Sequence, residues 1–168
     1  MDVGARQHPG MAAFADLETE QPEFAARVRA CFDAHRHKIL ATLRPDGSPR
    51  VSGIEAAFAD GQLWLAGMPR SVKFADLRRD PRMALHSGSD EPDVFTADAK
   101  VSGRAVEVAR GPDRTAFAEA TGNPAGGDYE LFRIDVDQVV LTAIAPEKDA
   151  LVISSWRPGR GLTEVRRT

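Results

Sequence analysis

The sequence predicts a mainly β fold, an antiparallel barrel with a few helices packed outside it. Three observations carry that expectation. Short extended segments rich in apolar and β-branched residues recur along the chain, the connections between them read as tight turns, and helical spacing is confined to a few short stretches. A parallel doubly wound sheet needs a crossover helix between successive strands, and most connections here are too short for one. With 168 residues and 42% hydrophobic content, the chain suits one domain with a proper core and is not a disordered composition.

The first segment, residues 1–20, is expected to be flexible, with one helical turn around "MAAFADLE". A helix follows, because Pro22 suits a first helical position and Phe24, Val28, Cys31, Phe32 and His35 recur at helical spacing. The period then becomes extended. "KILATL" reads as a strand, "RPDGSP" as a turn in which Pro fixes φ and Gly accepts positive φ, and "RVSGIEAAF" as the next strand. "ADGQ" is a hairpin turn and "LWLAG" the third strand. A short helix opens at Ser71 and stops before Pro81, and the strand "RMALHS" comes after it. Beyond the loop "GSDEPDVFTA" lies a long strand, "DAKVSGRAVEV". "GPDRTAFAEATG", with Pro near its start and Gly at its end, is a short helix. "YELFRIDV", "QVVLTAI" and "ALVISSW" complete a set of about eight strands. The barrel domain is therefore expected over residues 21–157, with residues 158–168 as a tail, docked or frayed.

Composition excludes several classes of function. The net charge is −3 with both signs interspersed, so no basic face marks a nucleic-acid binder; only the tail from Arg157 to Arg167 is locally basic. Cys31 is the only cysteine, which rules out an intrachain disulfide and a Cys-based structural zinc site. No apolar run is long enough to span a membrane, and "MDVGARQHPG" lacks the apolar core of a leader, so a soluble cytoplasmic protein is expected. The phosphate loop GxxxxGK(S/T), HExxH and GxSxG are missing, and Gly159 with Gly161 is no dinucleotide fingerprint. His35 and His37, two apart, cannot share a metal on one helix face, and no metal site is expected.

The stretch "GMPRSVKFADLRRDPR" stands out. A helix N-terminus is already positive, yet Arg70 and Lys73 lie there, which is unfavourable unless an anion is received. Ser71 can cap the helix or donate to a phosphate oxygen. The plainer reading makes the two cations solvated groups offset by nearby Asp76 and Asp80, and Ser71 an ordinary N-cap.

"SPRVSGIEAAFADGQLWLAGMPRSVKFADLRRDPRMALHS" resembles the core of the pyridoxamine 5′-phosphate oxidase-like split-barrel flavoproteins. The likeness runs from about Lys38 to Val108 and is looser beyond. It rests on a D-G-x-P turn, a strand opening with Arg50, a D-G hairpin, S-x-K opening a helix, D-P-R before a strand, and Gly103 within "DAKVSGRAVEV". The resemblance implies a split barrel and a homodimer with a phosphate-bearing flavin at the subunit interface. Arg50, Ser71 and Lys73 match positions that hold the flavin phosphate, and the backbone of Val51, Ser52, Gly53, Ala66 and Gly67 would run beside the ring system. Arg70, from the loop before the helix, and Lys100, which shares a strand face with Asp98 and Ser102, complete the expected cofactor-binding set.

Departures narrow the expectation. True oxidases have Arg where this chain has Val72. A threonine position is Gly67, a flavin-binding glutamine falls near Asp98, a substrate-facing lysine is Glu55, and the R-L-H-x-R signature is missing. Pyridoxamine phosphate oxidation is therefore not expected. S-x-K without the extra Arg is more similar to the branch using coenzyme F-420, and 18 Arg against 4 Lys fits a high-GC actinobacterial host. The expected function is an oxidoreductase passing hydride between F-420, slightly preferred, or FMN and a small conjugated acceptor. The alternative is a non-catalytic flavin- or haem-binding barrel, with His86 as a haem ligand, a proton donor or simply a structural residue. Tyr129 could donate to a substrate carbonyl, while Trp64 and Trp156 read as packing residues. No catalytic residue is assigned.

Overall fold

The computed structural model describes residues 8–91, 93–124 and 126–168. Helices α1 (Phe14–Glu20) and α2 (Pro22–Ala34) precede strands β1 (Lys38–Leu43), β2 (Pro49–Ala59) and β3 (Gln62–Gly67). Helix α3 (Val72–Arg79), β4 (Arg82–His86), β5 (Ala97–Glu107), α4 (Pro112–Thr121), β6 (Glu130–Ile144), β7 (Leu151–Arg157) and β8 (Gly161–Arg167) follow.

All pairings are antiparallel, in the order β3-β2-β1-β4-β5-β6-β7-β8. A further pairing of β3 with β6 closes the strands from β1 to β6 into a barrel, as the sequence led one to expect. β6 does two jobs along its length. Its first half meets β3 from Leu63↔Ile134 to Gly67↔Glu130, and its second half meets β7 from Val139↔Trp156 to Ile144↔Leu151.

The strands alternate as half-buried sheets should, with every second residue of β5 buried from Ala99 to Ala105. Their inward side chains form one core with Phe14 and Leu17 of α1, Phe24, Val28 and Phe32 of α2, and Phe74 and Leu77 of α3. Helix α4 builds a second cluster outside the barrel wall, where Phe117 packs with Trp64, Val108 and Leu131. Both tryptophans are packing residues: Trp64 donates to the Ala59 carbonyl at 2.9 Å and Trp156 to Glu20 at 2.9 Å.

Three expectations change. "YELFRIDV" and "QVVLTAI" form the single strand β6, because a bulge opposite Ser102 and Gly103 absorbs the polar break at Asp137 without a turn. The C-terminal tail is no frayed end. Gly159 and Gly161, at φ 69° and 71°, turn the chain so that β8 pairs with β7 along its whole length. Residues 8–20 are docked: Phe14 and Leu17 are buried, Ala12 bridges to Val136, and the His8 backbone N–H donates to Asp135 at 2.7 Å. Residues 1–7 lie outside the described residues. Among those described, no helix is long and apolar enough to cross a membrane.

Gly103 is fixed by close approach. A Cβ there would stand 2.2 Å from the Asp135 carbonyl oxygen, inside backbone that cannot move aside. Gly103→Ala is expected to lower stability by about 1–3 kcal/mol in urea unfolding, as overpacking does elsewhere.

Candidate cofactor site

The site begins where β3 stops. β3 pairs with β2 only over Glu55–Ala59, because after Gly67 the chain leaves the sheet. Residues 49–54 are thus paired on one side, with β1, and have no strand partner on the other edge among the described residues. Helix α3 packs against β1, and its Asp76 bonds Arg50 on the unpaired stretch of β2. It comes close because Gly67 has no side chain: a Cβ there would sit 3.1 Å from the Phe74 ring.

The lead-in to α3 is locally strained. Arg70 takes φ 61°, a left-handed conformation that costs a non-glycine residue about 1–2 kcal/mol. Ser71 occupies the N-cap position in extended conformation, yet its side chain makes no capping bond. Its Oγ is buried and has no hydrogen-bond partner. The N–H groups of Val72 and Lys73 also find no backbone acceptor among the described residues, as first-turn groups do not. The Lys73 ammonium lies 5.7 Å from the centre of the Phe74 ring, and neither Lys73 nor Arg70 has a carboxylate partner among the described residues.

Arg50 reaches the same place from β2. Its Nε donates to Asp76 Oδ2 at 2.6 Å, and the Asp76 side chain is only 1% exposed. Thr42 Oγ1 donates to the same oxygen at 3.0 Å, and Arg79 Nη2 to the other at 3.0 Å. Burial pushes the Asp76 carboxyl up, but the hydrogen bonds from Arg50, Arg79 and Thr42 outweigh it and hold the group below the usual carboxylate range. The expected offset of Arg70 and Lys73 by neighbouring acids is therefore not what forms. Asp76 turns inward to Arg50 and Arg79, and Asp80 binds Arg82 at 2.6 Å.

Together these residues set first-turn donors, an unpartnered hydroxyl and two cations without an acidic partner among the described residues beside an unpaired strand stretch. Residues 24–143 match the family model for pyridoxamine 5′-phosphate oxidase. The chain belongs to the pyridoxamine 5′-phosphate oxidase family. No curated protein matches it. Among solved structures it is similar to a pyridoxamine 5′-phosphate oxidase-related, FMN-binding protein from Nostoc punctiforme PCC 73102 (14% identity, TM-score 0.60, covering 86% of this chain and 95% of that one). It is also similar to PhzG from Burkholderia lata 383, solved with tetrahydrophenazine-1-carboxylic acid (13%, 0.62, 98% of each chain). Campylobacter jejuni ChuZ is a third (13%, 0.65, 86% of this chain and 63% of that one). At these identities the likeness is one of fold: this oxidase-family chain is a split β-barrel.

Not every residue expected at the family's cofactor site gathers there. Ser71 and Lys73 lie at the start of α3 and Arg50 bonds Asp76 of the same helix, with Val51, Ser52 and Gly53 on the unpaired stretch of β2 and Ala66 and Gly67 at the end of β3. Lys100 does not join them. It does share the outer face of β5 with Asp98, as expected, and binds that carboxylate and Thr142 Oγ1. However, β1 and β4 stand between β5 and β2, so Lys100 is remote from the cradle within one chain. Glu55 points outward to Arg36 at 3.0 Å. His86 Nδ1 accepts the Gly88 N–H at 3.0 Å, and Nε2 stands 3.5 Å from Asp98 Oδ2. Tyr129 packs against Phe117 under Arg114, away from the cradle.

A hollow of about 620 Å³ lies elsewhere, between α4 and the start of β6, where Arg78 spans Glu107 and Glu130. Sequence reasoning missed Asp76, Thr42 and Arg79 as members of the site. The available signal was an acid beside Leu77 on the buried flank of a short helix.

The sign of the Asp76 shift fixes its pH behaviour. A carboxyl depressed in the folded state stabilises above its unfolded pKa, and that contribution is lost as pH falls through the folded value. Asp76→Asn is expected to flatten the acid limb of a stability–pH profile below about pH 4 relative to wild type, measured by urea unfolding.

Proposed function

We propose that the chain is a flavin- or deazaflavin-dependent oxidoreductase whose coenzyme phosphate is received by Arg50, Ser71 and Lys73. The observation that carries this reading is the buried Ser71 hydroxyl, unpartnered at an uncapped helix N-terminus flanked by cations without acidic partners. A buried hydroxyl left unbonded costs about 1–3 kcal/mol, and a phosphate oxygen would remove that cost. Two further donors fit the same ligand. First-turn N–H groups favour anions, and the Arg50 Nη groups, with Nε tied to Asp76, have no partner among the described residues. The open backbone edge of Val51, Ser52 and Gly53 supports a flat ring lying alongside it.

When bound, the coenzyme supplies hydride chemistry; the chain's residues bind it, orient it and keep water from one side. The scarcity of acid–base groups at the cradle agrees with that division of labour. Coenzyme F-420 is preferred over FMN because Val72 is 58% exposed. An Arg would fit there without disturbing the core, so its absence points to a phosphate needing fewer cations. A small conjugated acceptor fits the chemistry. The partner is a second copy of this chain. Val51, Met68 and Val72 stand 70%, 79% and 58% exposed around the cradle, and Ile39 adds to this apolar surface from β1. Desolvating them would wall the ring's open side.

Absorbance titration with FMN and F-420 tests the cofactor; uptake of neither ends the proposal. Lys73→Ala is expected to weaken coenzyme binding by about 1.5–3 kcal/mol with little change in melting without ligand. Ser71→Ala should leave the ligand-free melting temperature unchanged or higher, since it deletes an unsatisfied group, yet reduce coenzyme affinity. Ile39→Asp should yield monomers in sedimentation velocity, where wild type sediments as a dimer.

A further inference from the structure

We propose that Asp76 is a positioning residue: it sets the Arg50 guanidinium for the coenzyme phosphate and thereby tunes how strongly the site selects phosphorylated ligands. The inference rests on the phosphate reading of Arg50 given above. A long Arg side chain on a strand edge samples many rotamers, and here one contact removes that freedom. Nε is bound by Asp76 Oδ2 at 2.6 Å, which fixes the plane of the fork while leaving both Nη groups without a partner among the described residues.

The carboxylate cannot follow Arg50 about. Thr42, which faces Arg50 across the β1–β2 pair, holds Oδ2 at 3.0 Å, and Arg79 holds Oδ1 at 3.0 Å while also donating to the Leu43 carbonyl. Asp76 is on the same helix as Lys73 and follows Ser71 by little more than a turn, so the clamp ties the β2 donor to the α3 donors as one rigid set.

The sign of the effect separates this role from a passive one. By field alone, a carboxylate beside a phosphate repels it, so Asp76→Asn should strengthen phosphate binding. Loss of the clamp acts the other way, because Arg50 must then be ordered by the ligand. Fluorescence titration would compare FMN with riboflavin, or F-420 with its phosphate-free deazaflavin, according to which coenzyme the wild type takes up. In Asp76→Asn the preference for the phosphorylated form is expected to fall about tenfold or more, with phosphate-free affinity unchanged. Gly103→Ala, which destabilises the β5–β6 contact without touching the clamp, should lower melting but keep the ratio. If Asp76→Asn does not fold, Arg50→Lys, which keeps the charge without the fork, must give the same fall.

A ratio that is unchanged or raised in Asp76→Asn overturns the assignment. So does an equal fall in Gly103→Ala, which would mean a merely structural role, or an unchanged ratio in Arg50→Lys. A wild type with no preference for the phosphorylated form overturns the phosphate reading itself, whereas a wild-type preference that survives Asp76→Asn overturns only Asp76.

Discussion

Everything at the cradle follows from β3 having to serve two neighbours. It must pair with β6 to close the barrel, and it leaves β2 after Ala66. Closure therefore exposes the backbone of residues 49–54 along one edge, where an ordinary sheet would have bonded it. An unpaired edge invites pairing with another chain or a ligand, and Val51 on this one is 70% exposed. Phe74 anchors α3, stacking on Phe132 at 4.9 Å and 18°, and the bare Gly67 lets it approach. A side chain at Gly67 would press on the Phe74 ring, 3.1 Å from its Cβ.

Charge is partly paired off elsewhere: Arg78 holds Glu107 and Glu130, Arg157 holds Asp137, and Arg166 holds Glu147 and Asp149. On α3 the buried Asp76 serves Arg50 and Arg79, and Lys73 and Arg70 have no acidic partner among the described residues. A buried carboxylate carries a desolvation penalty of several kcal/mol unless well bonded, and three donors meet that condition.

What the sequence disclosed follows the range of the interactions involved. Strands β1 to β5 were legible from period-two alternation and Asp-Gly turns, which are local. Ser71 and Lys73 were legible because they mark the start of one helix. The single strand β6 was hidden, since a bulge and a turn look alike until Gly103 is seen against Asp135. β8 was hidden because its residues are polar and its stability comes from β7. Lys100 shows the limit of local reading: sharing a face with Asp98 is a property of one strand, whereas its distance from α3 within one chain depends on strand order. Asp76 was read as an offset to Arg70 and Lys73 by proximity in sequence, but Arg50, 26 residues away, claimed it.

Left-handed residues and unpartnered buried polar atoms also occur away from α3, at Asp60 and Lys148 and at Tyr129 and Glu130, so what distinguishes α3 is the combination found there. The left-handed Arg70 and the unpartnered Ser71 hydroxyl, which together cost about 2–5 kcal/mol, adjoin first-turn N–H groups and cations without an acidic partner among the described residues. An anion seated among Arg50, Ser71 and Lys73 would satisfy the hydroxyl, justify the cations and give the buried clamp a task, so one ligand accounts for exceptions that packing alone leaves separate.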